Sequence, residues 1–469
     1  MLFSLSLLDN VYDMKKCITF IYCCFGAIYV HAQQSDSLFV RNIFNELMTH
    51  STSYDNLRYI CKEIGPRLSG SANAQKAVET TARMLKQAGA DTVYLQPCMV
   101  PHWVRGEKEK GTLQLKSGKS IPLHLCALGN AIGTPAKGID ASVVEVKSFE
   151  ALDQLGASKI KGKIVFFNIP MNPTHLETFD AYGESGIARW NGPSQAAKYG
   201  AIGAVVRSLA SNPDDYPHTG STGYNDSFPK IPAIAISTND ANYLSSQLQQ
   251  GNVSSVWFKT SCSMLPDEPS FNVIGEIKGS IQPAEIITIG GHLDSWDLAE
   301  GAHDDGAGVV QSIEVLRTFK ALHYQPKRTI RIVLFMNEEN GGRGGDAYLA
   351  EAKTKKEKHV FAIESDAGGF TPRGFSNMMK PAAFEKLMSW KNIFQTYGID
   401  DLHIKNSGSD IESLSEVGAE LAGLRTDSQR YFDVHHAATD TFESVSKREL
   451  ELGAFSMAAI AYLVSEYGL

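Results

Sequence analysis

"AEIITIGGHLDSWD", residues 284–297, decides the fold. Its first half is an apolar run of strand length with β-branched character. Its second half leaves that strand with His292, Asp294 and Trp296. A strand end that only had to turn would favour Gly, Asn or Pro. His292 and Asp294 therefore need another explanation. The same pattern continues outward. "TIRIVLFM" (329–336) and "HVFAIES" (359–365) are further apolar strands, and "GAGVVQSIEVLRTFKAL" (306–322) reads as a helix between them. Continuous apolar strands alternating with helices imply an α/β sheet covered on both faces. In such sheets ligands gather at the carboxyl ends of the strands.

The chain has 469 residues, more than one ordinary core accommodates, so several domains are expected. Residues 33–124 read as helix then strand: "AQKAVETTARMLKQAGA" carries helical periodicity, and "DTVYLQPCMV" is a strand. Residues 125–262 change character. Short β-like runs such as "ASVVEVK", "GKIVFFNI", "AIGAVVRS" and "IPAIAIS" alternate with turns, which predicts a β-rich insert. The polar stretch from Asn172 to Trp190 reads as a long loop within it. Residues 263–469 carry the strand–helix alternation. "KTKKEKH" near residue 355 reads as a solvated helix end.

The net charge of −8 and the lack of a basic patch argue against nucleic acid as a partner. "MKKCITFIYCCFGAIYVHA" begins at Met14 with two lysines and a short apolar stretch, and it closes on Val30-His31-Ala32. This is a secretory signal pattern, cut after Ala32, with Met14 as the expected start and residues 1–32 removed. An uncleaved anchor helix is the bland alternative. After cleavage no membrane span is expected, and the product is periplasmic or extracellular. Cys61, Cys98, Cys126 and Cys262 remain in the mature chain without a C-x-x-C pair, which argues against a thiolate metal site. Disulfides among these four are compatible with export, and their pairing is open.

Reactive side chains recur at the strand exits. His292 and Asp294 are followed by Asp304 and Asp305 in "GAHDDGAG", by Asn337-Glu338-Glu339, by Asp366 in "ESDAGG", and by His435, His436 and Asp440 in "HHAATD". Each group alone has an ordinary structural reading, such as a helix cap or a solvated acidic pair. Together they would place many carboxylates and imidazoles on one edge of one sheet. Like charges there repel unless cations neutralise them. Imidazole and carboxylate without thiolate suit zinc at a hydrolytic site. The ligand supply exceeds one metal, and two metals sharing a carboxylate would use it well.

In these motifs, together with "PKRTIRIVLFMNEENGG", "IGPRLSGS" and "WVRG", the sequence resembles the co-catalytic dizinc exopeptidases. That family includes bacterial leucyl aminopeptidase and glutamate carboxypeptidase II, and the likeness is greatest to its plasma glutamate carboxypeptidase branch. The resemblance implies an α/β/α sandwich around a mixed, mostly parallel sheet, with the insert as a protease-associated domain. It implies two zinc ions per chain: His292 and Asp366 on one, Glu339 and His436 on the other, and Asp304 bridging. Glu338 would be the general base, and the Asp294 side chain would orient His292. The resemblance favours His436 over His435, because its spacing to Asp440 matches that of the family's ligand. Asp305 would serve the backbone turn. Asp410 would meet a substrate α-amine or cap a helix, and Arg425 would meet a terminal carboxylate or pair with nearby acids. Tyr431 and His435 are further substrate-side candidates.

The expected activity is hydrolysis of dipeptides or short peptides. Two rivals share the fold: a single-zinc glutaminyl-cyclase-like acyltransferase, whose relatives lack the first histidine ligand, and a non-catalytic transferrin-receptor-like binding protein, in which ligands are lost. His292 and the other ligand positions are filled here. The insert is expected to be a lid, a homodimer contact or a substrate gate.

Overall fold

The computed structural model describes residues 35–469. The expected signal segment and Cys17, Cys23 and Cys24 lie outside the described residues. Among the described residues no helix is long and apolar enough to cross a membrane. Cys61, Cys98, Cys126 and Cys262 are buried and unpaired.

The principal sheet has seven strands. Their order is Thr92–Val104, Ser263–Ile277, Arg328–Phe335, Gln282–His292, Lys358–Glu364, Glu420–Thr426 and Pro372–Met378. The strands from Arg328–Phe335 to Glu420–Thr426 run parallel, and antiparallel strands flank them. The quoted opening stretch thus forms a central strand, as its apolar character predicts.

Alternation along these strands explains why they read as continuous hydrophobic runs. Ile287, Ile289, Ile330, Ile332, Leu334, Phe361 and Ile363 join one core with the helices Ala307–Ala321 and Lys447–Tyr467. Val333, Phe335, Ala362 and Leu421 face the other way, onto Tyr348, Ile411 and Leu414. Both faces are covered, and the strand ends are left for chemistry.

Two further sheets form between Lys110 and Lys259. A four-stranded sheet joins Lys110–Leu115, Ser120–Pro122, Ile139–Ala141 and Val253–Lys259, so its first strands precede residue 125. A five-stranded sheet pairs Val143–Val146, Ile164–Phe167, Gly203–Arg207 and Ala233–Ile236 in parallel, with Leu125–Ala127 antiparallel at one side. The helices Phe149–Ile160, Thr178–Lys198 and Thr238–Gln249 pack on it, making this region more helical than its composition predicts.

The expected loop from Asn172 to Trp190 is mostly helix, because Thr178–Lys198 begins inside it. The buried positions of that helix are small: Ala181, Ser185, Ala188, Gly192 and Ala196. This spacing is helical, yet such residues carry little hydrophobic signal. Gly192 allows close approach, since a Cβ there would sit 3.1 Å from the Phe167 ring. The "KTKKEKH" stretch does end a helix, Arg343–Lys355, with Lys356 left-handed after it.

Candidate metal centre

His292 is the last residue of its strand, and its main-chain N–H donates to Asp305 Oδ2 at 3.0 Å. The other Asp305 oxygen accepts from Gly308 N–H at 2.9 Å, so Asp305 does serve the turn. Asp304 is fixed through its backbone. Asp440 Oδ1 accepts the His303 N–H at 2.7 Å, and Asp440 Oδ2 accepts the Asp304 N–H at 3.1 Å. Arg67, fully buried, donates to three carbonyls of the loop between: Leu293 at 2.7 Å, Glu300 at 2.6 Å and Gly301 at 3.0 Å.

This framework brings five of the predicted residues together around one carboxylate. Asp304 Oδ1 lies 3.1 Å from His292 Nε2, and Asp304 Oδ2 lies 3.2 Å from His436 Nε2. His292 Nε2 is also 3.4 Å from Asp366 Oδ1, and His436 Nε2 is 3.2 Å from Glu339 Oε2. His435 Nε2 is farther from Asp304, at 3.7 Å, which favours His436 as the ligand. Both Asn337 (φ 75°) and His436 (φ 61°) adopt the left-handed region. Non-glycine residues there cost on the order of 1 kcal/mol or more, a cost that clusters at functional sites.

The charges are far from their solution balance. Burial pushes Asp366 up to about 6 and Glu339 up to about 8, and Asp304 adds to the Glu339 shift by repulsion. Burial opposes charge on His292 and His436, yet the facing carboxylates outweigh it and hold both rings above the usual range. Asp304 is driven the other way. Its burial is outweighed by His292 and His436, and it stays well below the usual range. Protons here stand where a stronger cation would be favoured.

Asp294 corrects one expectation. The group that orients His292 is the main-chain carbonyl of Asp294, 3.0 Å from Nδ1, while its side-chain Oδ1 is 4.0 Å away. The Asp294 carboxylate instead accepts the N–H groups of Asn337 at 2.7 Å and Glu338 at 3.1 Å. It therefore positions the segment that carries Glu338. Glu338 Oε1 accepts from Ser409 Oγ at 2.8 Å.

Residues 218–221 add contacts that nothing in the sequence periodicity announces. Ser221 Oγ donates to the Glu339 carbonyl at 2.8 Å. His436 Nδ1 lies 3.3 Å from the Thr219 carbonyl, and His218 Nδ1 lies 2.7 Å from the His435 carbonyl. Tyr431 and His435 are buried in an aromatic cluster. Phe179 stacks on Tyr431, with ring centroids 5.3 Å apart, and Tyr182 meets His435 edge-on at 5.0 Å. Arg425 lines a cleft beside Asp366, but its guanidinium is already paired with Asp401 at 2.9 Å and Glu177 at 2.8 Å. Neither partner is the Asp427 or Asp433 that proximity in sequence indicates; Asp427 pairs with Arg373. Asp410 is buried beside Glu364, another acid not singled out in the sequence.

The donor set fits zinc: imidazole nitrogens and carboxylate oxygens, with no thiolate. Among the described residues two groups are close enough to hold an ion, His292 with Asp304 and Asp366, and Asp304 with His435 and His436. Asp304 Oδ2 is buried without a hydrogen bond, as a ligand oxygen awaiting a cation would be.

Residues 272–461 match the model of peptidase family M28. The chain is 36% identical to carboxypeptidase Q of Mus musculus over 414 residues, 88% of this chain and 86% of the mouse protein. It is 37% identical to carboxypeptidase Q of Homo sapiens over 417 residues, 88% of this chain and 85% of the human protein. Among solved structures, a peptidase M28 precursor from Shewanella amazonensis superposes with a TM-score of 0.88 at 32% identity, covering 92% of this chain and 97% of that one. The zinc aminopeptidase of Bacillus subtilis shares the fold, with a TM-score of 0.62 at 20% identity over 87% of this chain and 93% of its own. The chain belongs to peptidase family M28, and it is a zinc metallopeptidase.

Proposed function

We propose that this protein is an exported exopeptidase of dipeptides or short peptides that works with two zinc ions. His292 and Asp366 would hold one ion, Glu339 and His436 the other, and Asp304 both. The observation that carries the reading is the Asp304 carboxylate, with an imidazole nitrogen 3.1 Å from one oxygen and another 3.2 Å from the second. Zinc bound there supplies Lewis acidity, which makes water more acidic and a peptide carbonyl more electrophilic.

The chain's own part is proton transfer and positioning. Ser409 anchors one oxygen of Glu338, and Asp294 fixes the Glu338 main chain. The free oxygen of Glu338 takes a proton from the attacking water. The water oxygen bonds to the carbonyl carbon, the C–N bond breaks, and Glu338 returns the proton to the leaving amine. The buried rings of Tyr431 and His435 help exclude bulk water. The insert, read as a protease-associated domain, closes over the site through the helix Thr178–Lys198, where Thr178 Oγ1 donates to the Ser428 carbonyl at 3.0 Å.

The test is a zinc count with turnover of a free dipeptide. Glu338→Gln keeps two equivalents of zinc and loses about 10²–10⁴-fold in turnover. Unchanged turnover in that variant removes Glu338 as the base.

A further inference from the structure

The hydrolysis gives Trp296 and Asp297 no task, although both follow closely on the His292 strand exit. Trp296 is buried. Its main-chain N–H donates to Glu339 Oε1 at 3.1 Å, which leaves Glu339 Oε2 facing His436 Nε2 at 3.2 Å. Its indole meets the His436 ring edge-on, with centroids 5.9 Å apart. One residue thus touches both side chains on the Glu339–His436 side of the centre.

The indole is itself braced. Trp103 meets it edge-on at 6.2 Å. A Cβ on Gly129 would lie 1.8 Å from the indole, so the chain there is pressed against the ring. Arg105 sits over the Trp103 ring, 5.0 Å from its centroid. It donates to both oxygens of Asp297, from Nε at 2.8 Å and from Nη2 at 2.6 Å. This paired fork holds the carboxylate in one orientation. Arg105 Nη1 donates to the Ala127 carbonyl at 2.8 Å, and Thr219 Oγ1 donates to that same carbonyl at 3.0 Å. The carbonyl of Thr219 lies 3.3 Å from His436 Nδ1. Arg105 therefore reaches Glu339 through Asp297 and Trp296, and His436 through Ala127 and Thr219.

The bracing has a physical reason. His436 has left-handed backbone, with φ of 61°, and such a conformation persists where its surroundings over-determine it. His292 instead ends a strand and is held by the Asp294 carbonyl and the Asp305 side chain. We propose that Arg105, Asp297, Trp296 and Trp103 form a positioning clamp that sets how tightly the Glu339–His436 side holds its zinc ion, while the His292–Asp366 side is set without it. This rests on the dizinc reading above and concerns the frame of one ion, not the hydrolytic step.

The experiment is a zinc titration against a competing chelator on the purified full chain. Arg105→Lys keeps the charge and loses the fork. It is expected to weaken one of the two zinc ions about 10-fold and to leave the other unchanged. Asp297→Asn should do the same, and the double variant should be no weaker than the worse single one, because the pair acts as a unit. With cobalt in place of zinc, the visible absorption of one of the two equivalents should change in Arg105→Lys, a signature that lost stability alone does not produce. Equal weakening of both ions, no weakening, or additive single effects overturn the clamp. Trp296→Phe, which keeps the main-chain donor and trims the ring, covers the case in which Arg105→Lys folds poorly. It is expected to weaken the same ion by a smaller factor, and an unchanged cobalt spectrum in this variant overturns the clamp. One-sided loss of zinc in a protein that cleaves no dipeptide supports the clamp and counts against the peptidase reading alone.

Discussion

The two sides of Asp304 are built differently. His292 and Asp366 come from the exits of adjacent parallel strands, whose register pairs Gly290 with Glu364. His292 is supported from the same part of the chain, by the Asp294 carbonyl and Asp305, and Asp440 holds the main chain of the shared Asp304. Glu339 and His436 instead sit on loops, next to or in left-handed backbone. The Glu339 carboxylate accepts the Trp296 N–H at 3.1 Å, and further supports come from residues 218–221, through Ser221 to the Glu339 carbonyl and the Thr219 carbonyl beside His436. One side is a sheet edge that forms as the core forms. The other also draws on residues 218–221, so that region is part of the centre's frame.

The largest expected effect comes from removing what the sides share. Asp304→Ala should deplete both ions and cost more than the about 10–100-fold that a ligand's hydrogen-bond partner is worth in metal affinity. Metal analysis after dialysis checks this, and retention of one full equivalent would mean that the sides are independent. Ser221→Ala should act on one side only, weakening one of the two zinc ions about 10-fold in a competitive chelator titration. Equal weakening of both ions, or none, would erase the asymmetry.

The smallest expected effect is a pH dependence of the metal-free protein. Glu339 and Asp366 are raised in the folded state, mainly by burial, to about 8 and about 6. Unfolded, both titrate near about 4. The folded state therefore holds protons that the unfolded state has released, and stability falls as pH rises from about 4 to about 8, the Asp366 part being lost by about 6. Scanning calorimetry in chelator should show the melting temperature dropping across that window. Added zinc, which takes the place of the protons, should flatten the drop.

The sheet was legible because its strands are buried on both faces and read as apolar runs. His292, Glu339 and Asp366 stood out as candidates because each follows such a run, and Asp304 because it sits in a glycine-rich loop, whereas His436 stood out only through the resemblance. What escaped reading is what depends on tertiary contact. Arg67 lies in a segment that reads as a turn and cap, yet it binds three carbonyls more than 200 residues away in sequence. The helix Thr178–Lys198 buries only small residues and so resembled a loop. Asp294 contributes its carbonyl to His292, a main-chain role that no side chain advertises. Arg425 found acids distant in sequence, Glu177 and Asp401, in preference to its near neighbours.

The central claim is that one carboxylate organises two ions. Anomalous diffraction at the zinc edge, on crystals grown with zinc, tests it most directly. Two peaks of comparable strength should flank the Asp304 carboxylate, roughly 3.5–4 Å apart. A single peak, or a second one away from Glu339 and His436, would contradict it.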